Sequence, residues 1–322
     1  MIATLTLNPS IDYVMKCPDV RFGETNRSEE ERIYPGGKGI NLSVMLRRLG
    51  IDSRCIAVKA GDTGELLEKL LRLQGLTPVM IPLRGNVFTR INVKLRGEAV
   101  TELNAKGPSM TSAAITSVCR ELDRLQRGDI LAAAGRFPEG EAAQALFSQL
   151  PRLKERGVKL AVDCSGPTLG RLLETGPFLA KPNREELEEL AGGSLTDWES
   201  LSKAVCRFWR YGNPEKYGAE HILLSMGKEG AALFWDAENV WSLEAPQGNA
   251  VNTVGAGDSM LAGCLAAFLN GGSPREILRM AVACGSGTAF SEWIAEKPLP
   301  MENLLPERKE WREKQIAGNT GV

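Results

Sequence analysis

The chain has 322 residues, and its 39 Lys and Arg nearly balance its 40 Asp and Glu, so the formal net charge is -1. That balance argues against a general nucleic-acid-binding protein, which needs a basic surface. Hydrophobic residues make up 43% and charged residues 25% of the chain, which are ordinary values for a folded globular protein and exclude a disordered one.

The cysteine and histidine counts narrow the chemistry further. Seven cysteines without a C-x-x-C pair argue against a disulfide framework or a thiolate zinc site, and fit a reducing compartment. The single histidine, His221, lies in an apolar run, which predicts a structural role and argues against a catalytic triad. No stretch approaches the roughly 18 apolar residues of a membrane-spanning helix. We therefore expect a cytoplasmic protein that binds neither nucleic acid nor membranes.

Strands and helices alternate along most of the chain. The predicted strands are short apolar runs at 2–7, 54–58, 130–134, 159–162 and 222–226. The predicted helices carry apolar residues at helical spacing and span 38–49, 63–73, 114–125, 141–154, 184–190 and 198–209. Such alternation predicts an α/β fold in which a mostly parallel central sheet is covered by helices on both faces.

Two segments interrupt this alternation. Residues 10–35 are polar and rich in turn residues, and residues 86–103 alternate between apolar and polar side chains around a turn at Gly97. The second segment therefore predicts a β-hairpin with one solvated face. We expect both segments to pair into a small sheet outside the main one, within a single domain that spans 1–322. Residues 305–322 predict a helix with a frayed tail.

Three glycine-rich loops stand out, at 35–41, 225–230 and 252–259. None of them fits the common phosphate-binding motifs. A Walker A motif needs Ser or Thr directly after Gly-Lys, but Gly39 follows Lys38. The dinucleotide fingerprint needs a third small residue, but Met260 stands at that position. The usual nucleoside-triphosphatase and dehydrogenase interpretations are therefore weakened.

The third loop has the chemistry of an anion hole. Gly255, Ala256 and Gly257 have almost no side chain, and at a helix start their N–H groups lack intrahelical acceptors and gain positive potential from the helix dipole. Asp258 stands beside them and can take a proton from an attacking hydroxyl. A base next to an oxyanion cradle suits phosphoryl transfer to an alcohol. The alternative is that Asp258 only offsets the dipole, and the residues alone leave both open.

The first loop follows similar logic. Gly36 and Gly37 let a ligand approach the backbone, and Lys38 supplies a point charge suited to phosphate. Asn41 lies three residues further on, on the same side of the predicted helix start. The alternative is a simple turn with a solvated lysine.

At these loops the sequence resembles the PfkB branch of the ribokinase-like carbohydrate kinases. Four segments carry the resemblance in order, at 6–12, 35–41, 181–187 and 253–259, and it extends over nearly the whole chain. The resemblance implies a ribokinase-like three-layer α/β/α sandwich with a mostly parallel central sheet. It also implies a small β lid built from the insertions at about 10–35 and 86–103, a homodimer contact through that lid, and ATP and Mg²⁺ as cofactors.

The resemblance also implies roles for individual residues. Asp258 is the expected catalytic base, and Gly255, Ala256 and Gly257 form the expected anion hole. The residues expected to bind the sugar phosphate are Asp12, Arg27, Gly37, Lys38, Asn41 and Arg90, with Arg27 reaching from a partner's lid. The residues expected along the nucleotide are Lys181, Asn183, Ser225, Gly227, Gly230, Gly257, Ala283 and Ser286. Glu186, helped by Asn183, is expected to organise magnesium.

Three further segments narrow the implied substrate. Residues 23–27, 89–94 and 101–104 resemble most closely the family members that convert fructose 1-phosphate to fructose 1,6-bisphosphate. Tagatose-6-phosphate kinases share much of this pattern and remain an alternative. A non-catalytic sensor of nucleotide or sugar phosphate on the same fold is a second alternative, although an intact Asp258 favours catalysis.

Residues 135–138 depart from the family pattern. They read Gly-Arg-Phe-Pro, where the family usually has Gly-Ser-Leu-Pro. Arg136 is therefore expected near the sugar site, where its guanidinium suits a phosphate group. The alternative is an ordinary surface arginine after a strand.

Overall fold

The computed structural model of the protein describes residues 1–97, 100–213, 215 and 218–309. The strands are β1 Ile2–Thr6, β2 Ser10–Lys16, β3 Glu30–Gly36, β4 Ser53–Ala60, β5 Val79–Leu83, β6 Arg90–Arg96, β7 Val100–Asn104, β8 Ile130–Ala134, β9 Lys159–Asp163, β10 Leu179–Ala180, β11 His221–Ser225, β12 Ala231–Asp236, β13 Asn239–Leu243 and β14 Arg308–Lys309. The helices are α1 Lys38–Arg48, α2 Gly61–Leu73, α3 Ser112–Leu122, α4 Glu141–Glu155, α5 Gly166–Glu174, α6 Arg184–Ala191, α7 Trp198–Phe208, α8 Ala256–Leu269 and α9 Pro274–Ala289.

The central sheet is mostly parallel, as predicted. Its ten strands lie in the order β14-β13-β12-β11-β10-β9-β8-β1-β4-β5. The strands from β11 to β5 in this order pair in parallel, whereas β12, β13 and β14 add an antiparallel edge. Every residue of β1 and β8 is buried, which explains why these strands are short continuous apolar runs.

Helices cover both faces of this sheet and form two separate cores. One core joins the sheet to helices α3 to α7, and the other joins it to α1, α2, α8 and α9. Because side chains alternate across a strand, β1 contributes Leu5 to the first core and Ile2 to the second. The three-layer α/β/α arrangement predicted from the sequence is confirmed.

The interrupting segments form a second, four-stranded sheet in the order β3-β2-β6-β7. Strands β2 and β6 pair in parallel, and each has an antiparallel neighbour on its outer side. The predicted hairpin is therefore β6–β7. We call this sheet the lid. One lid face carries Asp12, Asn92 and Asn104, which are cross-strand partners in the register.

The structure differs from the sequence prediction at the C-terminal end. Residues 308–309 form the short strand β14, which pairs with β13 where a helix was predicted. The turn before it is fixed because Glu307 is buried between Arg275 and Arg279. The rest of that predicted helix, residues 310–322, lies outside the described residues. Within the described ranges, no helix combines the length and apolarity that a membrane crossing needs.

Candidate active site

The glycine loops converge at the carboxyl ends of the parallel strands, the usual ligand-binding edge of an open α/β sheet. Asp163 is the last residue of β9, Lys181 directly follows β10, and Ser225 ends β11. The chain also passes from the end of β1 into the lid at this edge. The lid and the sheet edge therefore enclose the space where the predicted residues meet.

A cavity of about 470 Å³ lies between the lid and the sheet edge, and we call it the lid cavity. The expected site residues that line it are Asp12, Gly37, Lys38, Asn41, Arg90, Lys181, Asn183, Gly255, Gly257 and Asp258. They come from segments far apart in the chain. The fold thus brings together most of the residues singled out from the sequence.

A second cavity of about 660 Å³, which we call the helix cleft, lies between α8, α9 and the loop after β11. The expected residues that line it are Ser225, Gly227, Gly230, Ala256, Gly257 and Ser286. Ala283 is fully buried in the core and does not line the cleft; its neighbours Val282 and Gly285 do. Since Gly257 lines both cavities, the cleft and the lid cavity meet at the start of α8.

Two helix starts without a side-chain cap open into the lid cavity. Helix α1 begins after Gly37 at φ 122°, and α8 begins after Gly255 at φ 82°, a backbone conformation that side-chain-bearing residues rarely adopt. The Ala256 N–H donates to the Thr253 carbonyl at 3.2 Å. A Cβ at Gly257 would lie only 3.1 Å from the Lys181 ammonium. The Ala256 N–H, expected to be part of the anion hole, is therefore already engaged within the loop. What the start of α8 offers an anion is the remaining N–H groups of its first turn, around Gly257, together with the nearby Lys181 ammonium.

Asp258 sits in the first turn of α8 and is buried. The Asn41 amide donates a hydrogen bond to its Oδ2 at 2.8 Å. Burial raises the pKa of Asp258 to about 6, with a further rise from the charge of Asp163, while Lys38, Asn41 and Lys181 oppose the shift. A carboxylate with a pKa close to neutral suits a general base.

A buried charge cluster surrounds the junction of the two cavities. Asp163 lies 2.6 Å from the Lys38 ammonium and 3.1 Å from that of Lys181, and Glu186 lies 3.7 Å from Lys38. Burial alone would lower the pKa of Lys38, but Asp163, Asp258 and Glu186 together raise it above its usual value. The two lysines outweigh burial at Asp163 and lower its pKa. Lys38 and Asp163 therefore stabilise each other in their charged forms.

Asn183 and Glu186 form the N-terminal cap of α6. The Glu186 N–H donates to Asn183 Oδ1 at 2.7 Å, and the Asn183 N–H donates to Glu186 Oε2 at 2.9 Å. This capping box leaves Glu186 Oε1 facing Lys38 at 3.7 Å. Among the described residues, no group of three or more His, Cys, Asp or Glu side chains is arranged to hold a metal ion. A single carboxylate oxygen still fits magnesium, which commonly binds one or two carboxylates together with phosphates and water.

Arg90, the first residue of β6, also lines the lid cavity. Its guanidinium donates to the carbonyls of Asn8 and Ala105, both at 3.1 Å. Burial lowers the pKa of Arg90, and the charge of Arg136 lowers it further against the opposing effect of Asp12. Arg90 thus has a like-charged neighbour on one side.

Arg136 lies in a smaller neighbouring cavity of about 190 Å³, which also includes Asn8 and Lys106. It forms an exposed ion pair with Glu139 at 3.1 Å. It is therefore next to the lid cavity rather than within it. Arg27 is exposed in the loop between β2 and β3 and lines neither cavity.

Several residues that line the lid cavity were not singled out from the sequence: Ser10, Asn92, Lys94, Glu102 and Asp163. A usable signal was present for two of them. Asn92 and Lys94 follow Arg90 at a spacing of two on β6, so all three point to the same face. Asp163 carries a weaker signal, as a carboxylate at the carboxyl end of a buried strand.

His221 has the structural role predicted from its context. Its Nδ1 lies 2.5 Å from the Trp235 carbonyl, and its ring stacks on Trp235 with centroids 3.6 Å apart. Burial lowers its pKa to about 4, so the ring is neutral under ordinary conditions.

The fold and the two adjoining cavities at the carboxyl edge of the sheet are those of an α/β enzyme with room for two ligands. Residues 5–293 match the family model of the pfkB family carbohydrate kinases, and the chain belongs to that family. The chain is 38% identical to the 1-phosphofructokinase of Bacillus subtilis over 96% of its length and 99% of that protein. It is 31% identical to the D-tagatose-1-phosphate kinase of Bacillus licheniformis over 92% and 95% of the two chains.

A solved structure of a relative agrees with this assignment. The phosphofructokinase-2 of Escherichia coli, in complex with substrates and products, superposes with a TM-score of 0.84 at 26% identity, over 94% of this chain and 96% of that one. Membership of this family makes the chain a carbohydrate kinase, a phosphotransferase with an alcohol group as acceptor.

Proposed function

We propose that the protein transfers the γ-phosphoryl group of ATP to the O6 hydroxyl of fructose 1-phosphate, giving fructose 1,6-bisphosphate and ADP. The observation that carries this proposal is the position of Asp258, a buried carboxylate with a pKa of about 6 at the junction of two cavities. ATP occupies the helix cleft, and the sugar phosphate occupies the lid cavity. The phosphoryl group crosses at Gly257, which lines both.

Asp258 acts as the general base. As the sugar hydroxyl attacks the γ-phosphorus, its proton passes to Asp258 while the bond to the ADP oxygen breaks. The hydrogen bond from Asn41 at 2.8 Å fixes the orientation of the carboxylate. Because Asn41 contacts the base, we propose that it also binds the sugar next to the reacting hydroxyl.

Charge that develops on the transferring phosphoryl group is stabilised from two sides. The N–H groups at the start of α8, around Gly257, face it from the helix. Lys38 and Lys181, held by Asp163 at 2.6 and 3.1 Å, supply fixed positive charge. The sequence-based expectation was that Lys38 faces the phosphate already on the sugar. We propose the different role because Lys38 shares Asp163 with Lys181, whose ammonium lies beside Gly257.

Glu186 is the residue we propose to hold magnesium, with Asn183 setting its orientation through the capping box. The ion, when bound, neutralises the adjoining phosphates of ATP. We expect excess chelator to abolish ATP consumption and added Mg²⁺ to restore it, measured with a coupled ADP assay. Full activity in excess chelator would remove magnesium from this account.

The phosphate already on the sugar is bound at the Arg90 end of the lid cavity. Arg90 donates to the Asn8 carbonyl, and Arg136 lines a cavity that also includes Asn8, so we propose that a phosphate near Asn8 contacts both guanidinium groups. The Arg136–Glu139 pair is exposed and therefore weak, so a phosphate can replace Glu139 as the partner of Arg136. Arg136 is thus proposed to contribute to phosphate binding when the substrate is present.

The choice of fructose 1-phosphate rests on the relatives. The names of both curated relatives denote ketohexose substrates that carry phosphate on carbon 1. This favours a 1-phosphate over tagatose 6-phosphate, and leaves tagatose 1-phosphate as the nearest competitor. The test is ATP consumption against fructose 1-phosphate, tagatose 1-phosphate, fructose 6-phosphate, tagatose 6-phosphate and free fructose. The highest kcat/KM is expected with fructose 1-phosphate, and a higher value with any other sugar would contradict the proposed substrate.

A cytoplasmic location is proposed, because seven cysteines without a C-x-x-C pair suit a reducing compartment. The outer lid face is proposed as a homodimer contact. That face exposes Ile33, Ile91 and Leu103, which are 43%, 39% and 57% accessible. A contiguous exposed apolar face is typical of a protein interface. Sedimentation equilibrium is expected to give a dimer for the wild type and a monomer for Ile91→Lys. A wild-type monomer would contradict this, and would leave the exposed Arg27 without a role in a partner's site.

A further inference from the structure

A carboxylate lies on the wall of the helix cleft, where ATP is proposed to bind. Glu229 ends the short helical turn Gly227–Glu229 that follows β11. Among the described residues that line the cleft, it is the only acidic one, and Lys228 is the only basic one. ATP is a polyanion, and like charges repel most strongly where little water separates them. A carboxylate at this position therefore needs a physical explanation.

The explanation is an ion pair that reaches Glu229 from outside the cleft. Arg184, the first residue of α6, donates from Nη1 to Oε1 of Glu229 at 2.8 Å and from Nη2 to Oε2 at 2.5 Å. Glu229 also lines a neighbouring cavity of about 600 Å³, and Arg184 lines that cavity but not the cleft. A guanidinium that donates two parallel hydrogen bonds is a strong and directional partner for a carboxylate. Arg184 therefore neutralises Glu229 without occupying the cleft.

The backbone around this ion pair is held by other contacts. The Ser225 N–H donates to the Pro182 carbonyl at 3.0 Å, and Ser225 forms a parallel bridge with Asn183. Across the turn, the Met226 N–H donates to the carbonyl of Gly230 at 2.9 Å. The two segments therefore stay in place without the ion pair, whose remaining effect is on the charge and the direction of the carboxylate.

We propose that Arg184 is a positioning residue for ATP binding, which neutralises the Glu229 carboxylate and holds it in a fixed direction on the wall of the helix cleft. The proposal rests on the proposed binding of ATP in that cleft. Arg184 acts through Glu229 and contacts neither the nucleotide nor the reacting atoms. Because the two side chains are 26% and 52% exposed, the effect depends on charge and is screened by salt.

The first test is the KM for ATP of Arg184→Ala at two salt concentrations. Without the guanidinium, Glu229 repels the triphosphate, so the KM is expected to rise about 3- to 10-fold at low ionic strength, where the Debye length exceeds about 10 Å. The ratio to the wild type is expected to fall below about two at about 1 M salt. The KM for the sugar phosphate is expected to change little. An unchanged KM for ATP at low salt would overturn the proposal.

The second test is a double-mutant cycle with Glu229→Gln, which keeps the shape of the side chain and removes its charge. In that background, Arg184→Ala is expected to raise the KM for ATP less than about two-fold, because no negative charge is left to neutralise. If Arg184 instead bound ATP directly or acted through the magnesium ligand Glu186, the full rise would persist in that background. Such a persistent rise would contradict the proposal.

Arg184→Lys separates charge from side-chain packing. It keeps a positive charge but cannot donate two parallel hydrogen bonds, so its KM for ATP is expected to lie between those of the wild type and Arg184→Ala. A lysine variant as impaired at low salt as the alanine variant would contradict a role for charge.

Arg210→Ala is the matched control. Arg210 forms an ion pair with Glu220 at 2.7 Å, with side chains 32% and 33% exposed, and neither residue lines the cleft. This variant is expected to leave the KM for ATP unchanged. A rise equal to that of Arg184→Ala would contradict a specific role for Arg184.

Ser286→Phe, which adds bulk inside the cleft, distinguishes the two ways in which the proposal can fail. If it raises the KM for ATP while Arg184→Ala does not, the nucleotide site is right and the role of Arg184 is wrong. If neither variant raises the KM for ATP, the proposed nucleotide site is wrong as well.

Discussion

The helix cleft and the lid cavity meet at Gly257 but are built in opposite ways. The cleft is lined mainly by backbone and small side chains, including Gly227, Gly230 and Ser286, whereas charged side chains such as Asp12 and Arg90 line the lid cavity. A backbone-lined cleft recognises shape, and a charged cavity recognises the positions of donors and acceptors. Removing side chains is therefore expected to affect sugar binding most, and adding bulk is expected to affect nucleotide binding most.

The largest effect is expected at the junction of the two regions. Asp258→Asn keeps the shape and the contact with Asn41 but cannot accept the substrate proton, so kcat is expected to fall about 10²–10⁴-fold. The affinity for ATP is expected to survive. Steady-state kinetics measure kcat, and calorimetric titration measures the affinity for ATP. Asp62→Asn, an exposed aspartate in the first turn of α2, is the control and is expected to leave turnover unchanged.

On the lid side, loss of a charged side chain is expected to affect the sugar alone. Arg90→Ala is predicted to raise the KM for the sugar phosphate about 10- to 100-fold, the usual cost of losing charged hydrogen bonds. The KM for ATP is expected to change little. Arg47→Ala, which breaks an exposed ion pair with Asp52, is the control. A parallel rise in both KM values in Arg90→Ala would contradict the separation of the two regions.

On the cleft side, added bulk is expected to weaken ATP binding and to leave sugar binding unchanged. Ser286 lines the cleft from α9 and is partly exposed. Ser286→Phe is predicted to raise the KM for ATP about ten-fold through steric overlap, of the order that overpacking costs. The KM for the sugar phosphate is the internal control. An unchanged KM for ATP would place the nucleotide elsewhere.

The smallest predicted effect comes from pH. The pKa of Asp258 is raised to about 6, so the ionised base is fully present above that pH and is lost as pH falls through it. At pH 5.5, kcat/KM is expected to be about four-fold below its plateau, because about a quarter of the base stays ionised. A pH profile of the free enzyme checks this, and a flat profile from pH 8 to 5 would argue against Asp258 as the base.

The sequence was sufficient for elements with a clear apolar pattern and for residues whose chemistry depends on local backbone. Strand β8 is a continuous apolar run, helix α1 has apolar residues at helical spacing, and Gly255 and Asp258 belong to one continuous loop and helix start. Elements without such a pattern, including β5, β12, β13, α5 and α9, were not predicted. Strand β10, with only two residues, has no periodicity to detect. Its presence is decided by pairing with β9 and β11.

Contacts between distant segments could not be read from the sequence. The partners of Lys38 are 125 and more residues away, so its position in the buried charge cluster depends on the folded sheet edge. The same holds for Asn92, whose amide nitrogen donates to Asp12, 80 residues away. Ala283 and Ser286 are on the same helix, and only packing decides that Ser286 faces the cleft.

The central claim is that the lid cavity holds a sugar that already carries phosphate and delivers its free hydroxyl to Asp258. The most direct measurement is a competition in which equal concentrations of fructose 1-phosphate, tagatose 6-phosphate and free fructose share limiting ATP. Products are resolved by mass and by the position of the new phosphate. The account predicts fructose 1,6-bisphosphate as the main product. A clear preference for free fructose would contradict it, because a neutral sugar carries no phosphate for Arg90 to bind.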